Sequence, residues 1–192
     1  MNPEHNILFV NACVREGSRT RILAERVLSH LEGEVTELNL ESVGLRPLTR
    51  ENLARREALL AAGDRSDPML APARAFAAAD EIVLAAPYWD LSFPASVKTW
   101  IEHINCVGVT FAYDANARPC GLCKARRLFY VTTAGGAILP SNAGYAQVRE
   151  LCETFYGIPE TVLFSAEGLD LWGADVPALL SAAAARIDAF FA

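Results

Sequence analysis

The sequence contains no apolar run long enough to cross a membrane. Its apolar stretches, such as Ile82 to Pro87, are short and flanked by charge, and none approaches the ~20 apolar residues that span a bilayer. The segment from Met1 to His5 carries an acid and a proline, and it lacks the basic region, apolar region and cleavage site of a secretory signal. We therefore expect a protein that stays in the cytoplasm without membrane insertion.

Positive charge is also scarce. The 17 lysines and arginines are outnumbered by 23 aspartates and glutamates, which leaves a net charge of −6, and the basic residues are scattered along the chain. This distribution excludes the basic patch that nucleic-acid binding needs. The number of cysteines, five, is odd, and the chain is large enough to fold without disulfide bonds. We therefore expect reduced thiols and no disulfide framework.

Apolar side chains are abundant. Hydrophobic residues make up 52% of the chain and charged residues 21%, with only 12 glycines and 10 prolines. This composition excludes disordered and low-complexity classes, because so much apolar surface must be buried. The length of 192 residues predicts a single domain that spans residues 1–192.

Short apolar runs alternate with helical patterns along the chain. Asn6 to Asn11 has the pattern of a strand buried on both faces, and Ala24, Val27, Leu28 and Leu31 then form one stripe of a helix. Five such strands separated by helices must pair in parallel, which predicts an α/β doubly wound sandwich with a five-stranded parallel sheet and helices on both faces. The predicted strands are Asn6 to Asn11, Val35 to Leu40, Glu81 to Ala86, Arg127 to Thr133 and Thr161 to Ser165. The predicted helices begin near Ser18 to Thr20, at Thr49, at Met69, at Pro94 and near Asp175.

Ligands of open α/β sheets bind beyond the carboxyl ends of the strands, and three of the loops at that edge are unusual. The segment from Cys13 to Thr20 contains hydroxyl groups, a glycine and cations and precedes a predicted helix. The N-terminus of a helix attracts phosphate. Ala86 to Pro94 holds three aromatic residues, and Thr132 to Gly136 ends in paired glycines that permit close approach of the backbone. Each loop alone also has an ordinary explanation, namely helix capping, rings that cover the core, and a glycine turn. Together they describe a site for a flat, phosphorylated cofactor such as FMN.

At these loops the chain resembles the FMN-dependent NAD(P)H oxidoreductases of the flavodoxin-like fold, which include NAD(P)H quinone dehydrogenases and azoreductases. Pro87, Pro94, Val97, Lys98 and Trp100 stand in the family's order, and the resemblance covers most of the chain. It implies a flavodoxin-like, FMN-binding domain over residues 1–192. Residues that the resemblance assigns to FMN are Cys13, Ser18, Arg19 and Thr20 for the phosphate turn, Pro87, Tyr88, Trp89, Asp90 and Leu91 for one side of the flavin ring, and Thr133, Ala134, Gly135 and Gly136 for the other.

Two segments depart from the family pattern. Cys13 stands where azoreductases commonly have a serine, and Trp89 to Leu91 replaces their usual Tyr-Asn-Phe. The resemblance further implies hydride transfer from NADH or NADPH through FMN to a quinone, azo or similar aromatic acceptor by a ping-pong mechanism. Because FMN carries this chemistry, no catalytic acid, base or nucleophile is assigned.

Two other functions remain open at this point. Cys13, Arg19 and Thr20 also match the Cys-x5-Arg-Ser/Thr loop of low-molecular-weight tyrosine phosphatases. In such an enzyme Cys13 would be the nucleophile, Arg19 would bind the phosphate, and Asp67, which precedes Pro68, would be the proton donor. A flavodoxin-type electron carrier would bind FMN on the same fold and exchange single electrons with protein partners. The phosphatase leaves the aromatic and glycine loops unexplained, and the carrier needs no nicotinamide site.

A cysteine pair invites a further chemical interpretation. Cys120 and Cys123, with His103 and Cys106, give spacings that a zinc site could use, and the pair could also be redox active. Reduced loop thiols are the favoured interpretation, and we expect no metal.

The sequence also predicts a homodimer. The aromatic residues Tyr88, Trp89, Phe93, Phe111 and Tyr113 all fall in predicted loops, which we expect at one edge of the sheet. A monomer would leave this apolar surface in water, and two-fold pairing is the commonest way to cover it.

Overall fold

A computed structural model describes residues 5–192 as a parallel sheet covered by helices on both faces. Within these residues no helix is both long and apolar enough to cross a membrane. In chain order the elements are β1 (Asn6–Asn11), α1 (Arg19–Leu28), β2 (Glu34–Asn39), α2 (Arg50–Ala61), a 3-10 turn (Pro68–Leu70), α3 (Ala71–Ala78), β3 (Glu81–Ala85), α4 (Ala95–Ile104), β4 (Phe111–Tyr113), β5 (Pro119–Gly121), β6 (Arg127–Thr133), α5 (Ala143–Leu151), a π-helical turn (Cys152–Tyr156), β7 (Glu160–Ala166) and α6 (Val176–Phe191).

The main sheet has the strand order β2-β1-β3-β6-β7, and every pair in it is parallel. The predicted doubly wound sandwich is therefore confirmed. The bounds of β1 and β6 are those predicted, and the ends of β2, β3 and β7 differ from the prediction by no more than one residue. For β1, β3 and β6, burial on both faces explains this accuracy, since these strands are nearly continuous apolar runs.

Two layers of core pack against the sheet. Alternate residues of a strand face opposite sides, so that Leu8 and Val10 join the core beneath α3, α4 and α5, whereas Ile7 and Phe9 join the core beneath α1 and α6. All four side chains are nearly inaccessible to water. Burying each of them stabilises the fold by about 1.5–3 kcal/mol, and the two layers together fix the edge at which the strands end.

Two structured segments were not predicted. The helix α5 buries only Gly144 and Val148, so its apolar periodicity is weak in the sequence. Its N-cap, Asn142, adopts the left-handed conformation with φ of 31° and accepts a hydrogen bond from the N–H of Tyr145. The second segment is the antiparallel hairpin of β4 and β5, which pairs Phe111 with Gly121.

The hairpin lies at the amino edge of the sheet, opposite the edge where the strands end. The N–H of Lys124 donates to the carbonyl of Ala77, just before β3 begins, and the ring of Phe111 lies 4.9 Å from that of Phe155, just before β7. The expectation that Phe111 and Tyr113 share an edge with the other loop aromatics is wrong. Of these two, Phe111 is buried in the chain's own core, and Tyr113 is exposed.

Contact between the hairpin and the π-helical turn depends on a glycine. A Cβ atom at Gly121 would collide with the backbone of Tyr156 and Gly157, which cannot yield as a flexible side chain can. We expect Gly121→Ala to lower the free energy of unfolding by about 1–3 kcal/mol, the usual cost of overpacking. Urea denaturation of the cofactor-free protein measures it. Gly136→Ala is the control, because a Cβ there meets open space and should change stability by less than about 0.5 kcal/mol. Equal stability of the two variants would contradict this packing.

Candidate functional site

A cleft of about 390 Å³ opens at the carboxyl edge of the sheet. Four segments line it: residues 14–20 after β1, 87–89 after β3, 133–135 at the end of β6, and 169 and 170 after β7. The three loops singled out in the sequence therefore meet, as parallel pairing requires. The fourth segment was missed, although it follows a predicted strand that ends at the same edge.

The turn after β1 presents a helix N-terminus to the cleft. Gly17 takes a φ of +67°, a left-handed conformation that glycine adopts without strain, and it brings Ser18 to the N-cap of α1. The hydroxyl oxygen of Ser18 accepts from the N–H of Arg21. The first N–H groups of a helix have no partner within the helix, and its dipole is positive at this end, so the turn suits an anion.

An ion pair between Arg21 and Glu37 stabilises this turn. The carboxylate of Glu37, near the end of β2, accepts from both terminal nitrogens of Arg21 at 2.8 and 3.0 Å and from the amide of Asn11 at 2.8 Å. The Arg21 guanidinium and, after it, the Asn11 amide lower the pKa of Glu37. Asn11 is buried, and its side-chain oxygen accepts from the N–H of Cys13 at 2.9 Å. Arg21 is thus paired with Glu37, and it does not line the cleft.

A hydrogen bond between two hydroxyls joins the first loop to the glycine loop. The Oγ1 atoms of Thr20 and Thr133 lie 2.7 Å apart, and either can be the donor. One hydroxyl proton of the pair is therefore used in this bond, and the other remains for a ligand. The contact fixes the distance between the phosphate turn and the loop that begins at Thr133.

Arg19 reaches from the phosphate turn to the loop after β7. Its Nη1 atom donates to the Asp170 carboxylate at 2.7 Å and to the carbonyl of Leu169 at 3.2 Å. Hydrogen bonds from the N–H groups of Leu169 and Asp170 to the carbonyls of Ala134 and Gly135 hold that loop against the glycine loop. Leu169 and Asp170 are thus parts of the site that sequence reasoning did not identify.

The aromatic loop after β3 forms the opposite wall. Tyr88 and Trp89 line the cleft, and Trp89 exchanges two backbone hydrogen bonds with Ser92 across a two-residue turn. The turn residues Asp90 and Leu91 have φ values of 50° and 65°, which are uncommon for residues other than glycine. Both side chains are exposed, and neither lines the cleft.

Nine of the residues assigned to FMN line the cleft, and four do not. Cys13 is buried beneath it, and its thiol lies 4.0 Å from the carbonyl oxygen of Ala85. Asp90, Leu91 and Gly136 lie outside the lining. The assigned residues that line the cleft are Ser18, Arg19, Thr20, Pro87, Tyr88, Trp89, Thr133, Ala134 and Gly135.

The geometry opposes a phosphatase. Burial raises the pKa of the Cys13 thiol, whereas a phosphatase nucleophile must be a thiolate open to its substrate. Asp67, the proposed proton donor, instead caps the 3-10 turn and accepts from Arg55 at 2.9 Å.

The sulfur and histidine candidates for a metal do not converge. Within residues 5–192 no group of three potential ligands is close enough to hold a metal ion. The Nε2 atom of His103 lies 2.9 Å from the carbonyl of Arg46, Cys106 is buried, and Cys123 donates to the carbonyl of Thr110. Cys120 is exposed.

Comparison with known proteins agrees with this architecture. A family model described as a flavodoxin-like fold matches residues 5–191. The chain belongs to the flavodoxin-like family. Among its relatives, an FMN-dependent NADH:quinone oxidoreductase of Coprothermobacter proteolyticus is 30% identical over 88% of this chain and 90% of its own length. Another, from Lachnoclostridium phytofermentans, is 31% identical over 90% of each chain.

Solved structures share the fold of this flavodoxin-like chain. An azoreductase from Bacillus anthracis superposes with a TM-score of 0.79 at 20% identity, covering 97% of this chain and 98% of its own. An FMN-dependent NADH-azoreductase from the same species, solved in complex with FMN, gives a TM-score of 0.78 at 17% identity, covering 97% of each chain.

The position of Arg19 yields a direct prediction for the phosphate turn. Arg19→Glu places a carboxylate where the FMN phosphate is predicted, so the affinity for FMN should fall by more than one charge-assisted hydrogen bond, about 1.5–3 kcal/mol. Flavin fluorescence titration measures the change. Arg126→Glu makes the same change of charge on an exposed side chain at the amino edge and serves as the control. Unchanged affinity in the Arg19 variant would remove that residue from the site.

Proposed function

We propose that the protein is an FMN-dependent oxidoreductase that transfers hydride from NADH or NADPH to a quinone, azo or similar aromatic acceptor. The observation that carries the proposal is the cleft itself, where a helix N-terminus with a cation and hydroxyls faces an aromatic loop and a glycine loop. Relatives over most of the chain are named FMN-dependent NADH:quinone oxidoreductases, which supports the same conclusion.

The residues of the cleft fit FMN in chemistry and in size. A volume of about 390 Å³ is within the range of small-molecule sites. Ser18, Arg19 and Thr20 would hold the phosphate, since they combine hydroxyls, a guanidinium and the N-terminus of α1. Residues 87–89 and 133–135 would hold the flavin ring between an aromatic wall and a backbone that glycine leaves open.

Bound FMN would supply the redox chemistry, accepting hydride from the nicotinamide and passing it to the acceptor. The chain's own contribution is to orient the reactants and to exclude water. The titratable side chains that line the cleft are Arg15, Glu16, Arg19, Tyr88 and Asp170. The histidines lie elsewhere: His5 precedes β1, His30 follows α1, and His103 is near the end of α4, all toward the amino edge. No histidine is therefore placed to act as an acid or base.

NADH or NADPH and the acceptor share one stacking surface beside the flavin in this proposal. The two substrates would occupy it in turn, which is the ping-pong order. Anaerobic mixing of the FMN-loaded protein with NADH or NADPH, without acceptor, should bleach the visible flavin band in one turnover, and a quinone or azo compound should then restore it. Bleaching that requires the acceptor would contradict the order. A flavin that neither nucleotide reduces would favour an electron carrier.

We also place the protein in the cytoplasm. All five cysteines are free thiols, and such thiols are typical of reducing compartments.

The homodimer is proposed on surfaces that the structure leaves exposed. The helix α2 has no buried residue. Three apolar side chains are each about half exposed: Val107 before β4, Tyr113 at the end of β4 and Leu122 just after β5. At the other edge Leu171 and Trp172 stand in water beside the cleft. A two-fold axis would bring one edge of each subunit against the other edge of its partner, covering both surfaces and walling the acceptor site.

Light scattering on the flavin-loaded protein at micromolar concentration tests the dimer. We expect twice the chain mass of 20.8 kDa, because the exposed apolar side chains are costly in water. Leu122→Glu should produce monomers by burying a charge in the interface. An active wild-type species of one chain mass would overturn the proposal.

A further inference from the structure

Asp170 places a negative charge in the cleft beside the predicted phosphate position. Its carboxylate lies over Gly135, where a Cβ atom would collide with it, and it accepts from Arg19 at 2.7 Å. The side chain is 64% exposed, and that of Arg19 is 37% exposed. The ion pair thus joins the phosphate turn to the loop after β7, beside the glycine loop.

The fold does not need this ion pair. The loop that carries Asp170 is already held by hydrogen bonds from the N–H groups of Leu169 and Asp170 to Ala134 and Gly135. Exposed ion pairs contribute little to stability, because water screens them. The backbone bonds also keep the carboxylate close to the cleft, since they fix the Cα of Asp170 and leave only a short side chain to move.

The pair changes the field that a phosphate would meet. Apart from Tyr88, the ionisable side chains that line the cleft are two cations, Arg15 and Arg19, and two anions, Glu16 and Asp170. Their formal charges therefore cancel. Arg21, the next cation along the chain, is paired with Glu37 and turned away. A doubly charged phosphate therefore enters a turn in which the guanidinium of Arg19 is already paired with a carboxylate.

We propose that Asp170 is an internal anion that competes with the FMN phosphate for Arg19 and selectively weakens the binding of phosphorylated flavin. The proposal rests on the proposed function, because it requires FMN in this cleft. Asp170 would set how readily the cofactor exchanges, and the ring-binding loops would be untouched by it.

Comparison of two flavins separates an effect on the phosphate from an effect on the fold. Riboflavin has the same ring as FMN and no phosphate. Asp170→Asn keeps the shape of the side chain and removes its charge, so we expect FMN to bind about tenfold more tightly at low ionic strength while riboflavin affinity stays unchanged. Fluorescence titration of the cofactor-free protein with each flavin gives the ratio, and the gain for FMN should shrink as salt is added.

Two further variants sharpen the test. Glu32→Gln removes the same charge from an exposed position between α1 and β2, at the amino edge, and should leave both affinities unchanged. In an Arg19→Gln background the effect of Asp170→Asn should become smaller, because the residue for which the two anions compete is gone.

Each outcome decides the proposal. Unchanged or weaker FMN binding by Asp170→Asn overturns it, and so does an equal change for FMN and riboflavin, which would indicate a general structural role. An Asp170 effect of full size in the Arg19→Gln background also contradicts it. Failure of the wild-type protein to bind either flavin would instead refute the proposed function.

Discussion

Parallel pairing of the strands is the constraint on which the rest of the structure depends. It brings the carboxyl ends of β1, β3, β6 and β7 to one edge, together with the N-terminus of α1. Residues that are more than 100 apart in sequence, such as Thr20 and Thr133, can then share a hydrogen bond of 2.7 Å. The cleft is a consequence of this pairing, and its chemistry comes from the short segments that follow each strand.

Two arginines in one turn have different partners and different roles. Arg21 is bound to Glu37 and, through that carboxylate and Asn11, fixes the backbone before the turn. Arg19 lines the cleft, is paired with Asp170 and is assigned to the predicted phosphate. The arginine that stabilises the turn and the arginine assigned to the phosphate are thus only two positions apart in the sequence. A count of basic residues would not distinguish them.

The sequence could predict the elements whose pattern is local and the loops whose order follows from topology. β1 and β6 are continuous apolar runs, and their bounds were predicted correctly. The edge assigned to Phe111 was wrong because α4 returns the chain to the amino edge before the hairpin begins. Cys13 was assigned to the cleft by its place in the motif, whereas its side chain faces the core. Asp170 carries no motif, and only the contact of its loop with residues 134 and 135 reveals it.

Amide chemical shifts of the isotope-labelled protein, recorded with and without FMN, would test the location of the cofactor most directly. The account predicts that the largest perturbations fall on residues 14–20, 88–89, 133–135 and 169–170, the segments that line the cleft and carry an N–H group. Signals from residues 186–191, near the end of α6 at the opposite edge, should move little. Absence of perturbation in the turn from 15 to 20, or perturbation centred on another surface, would contradict the account.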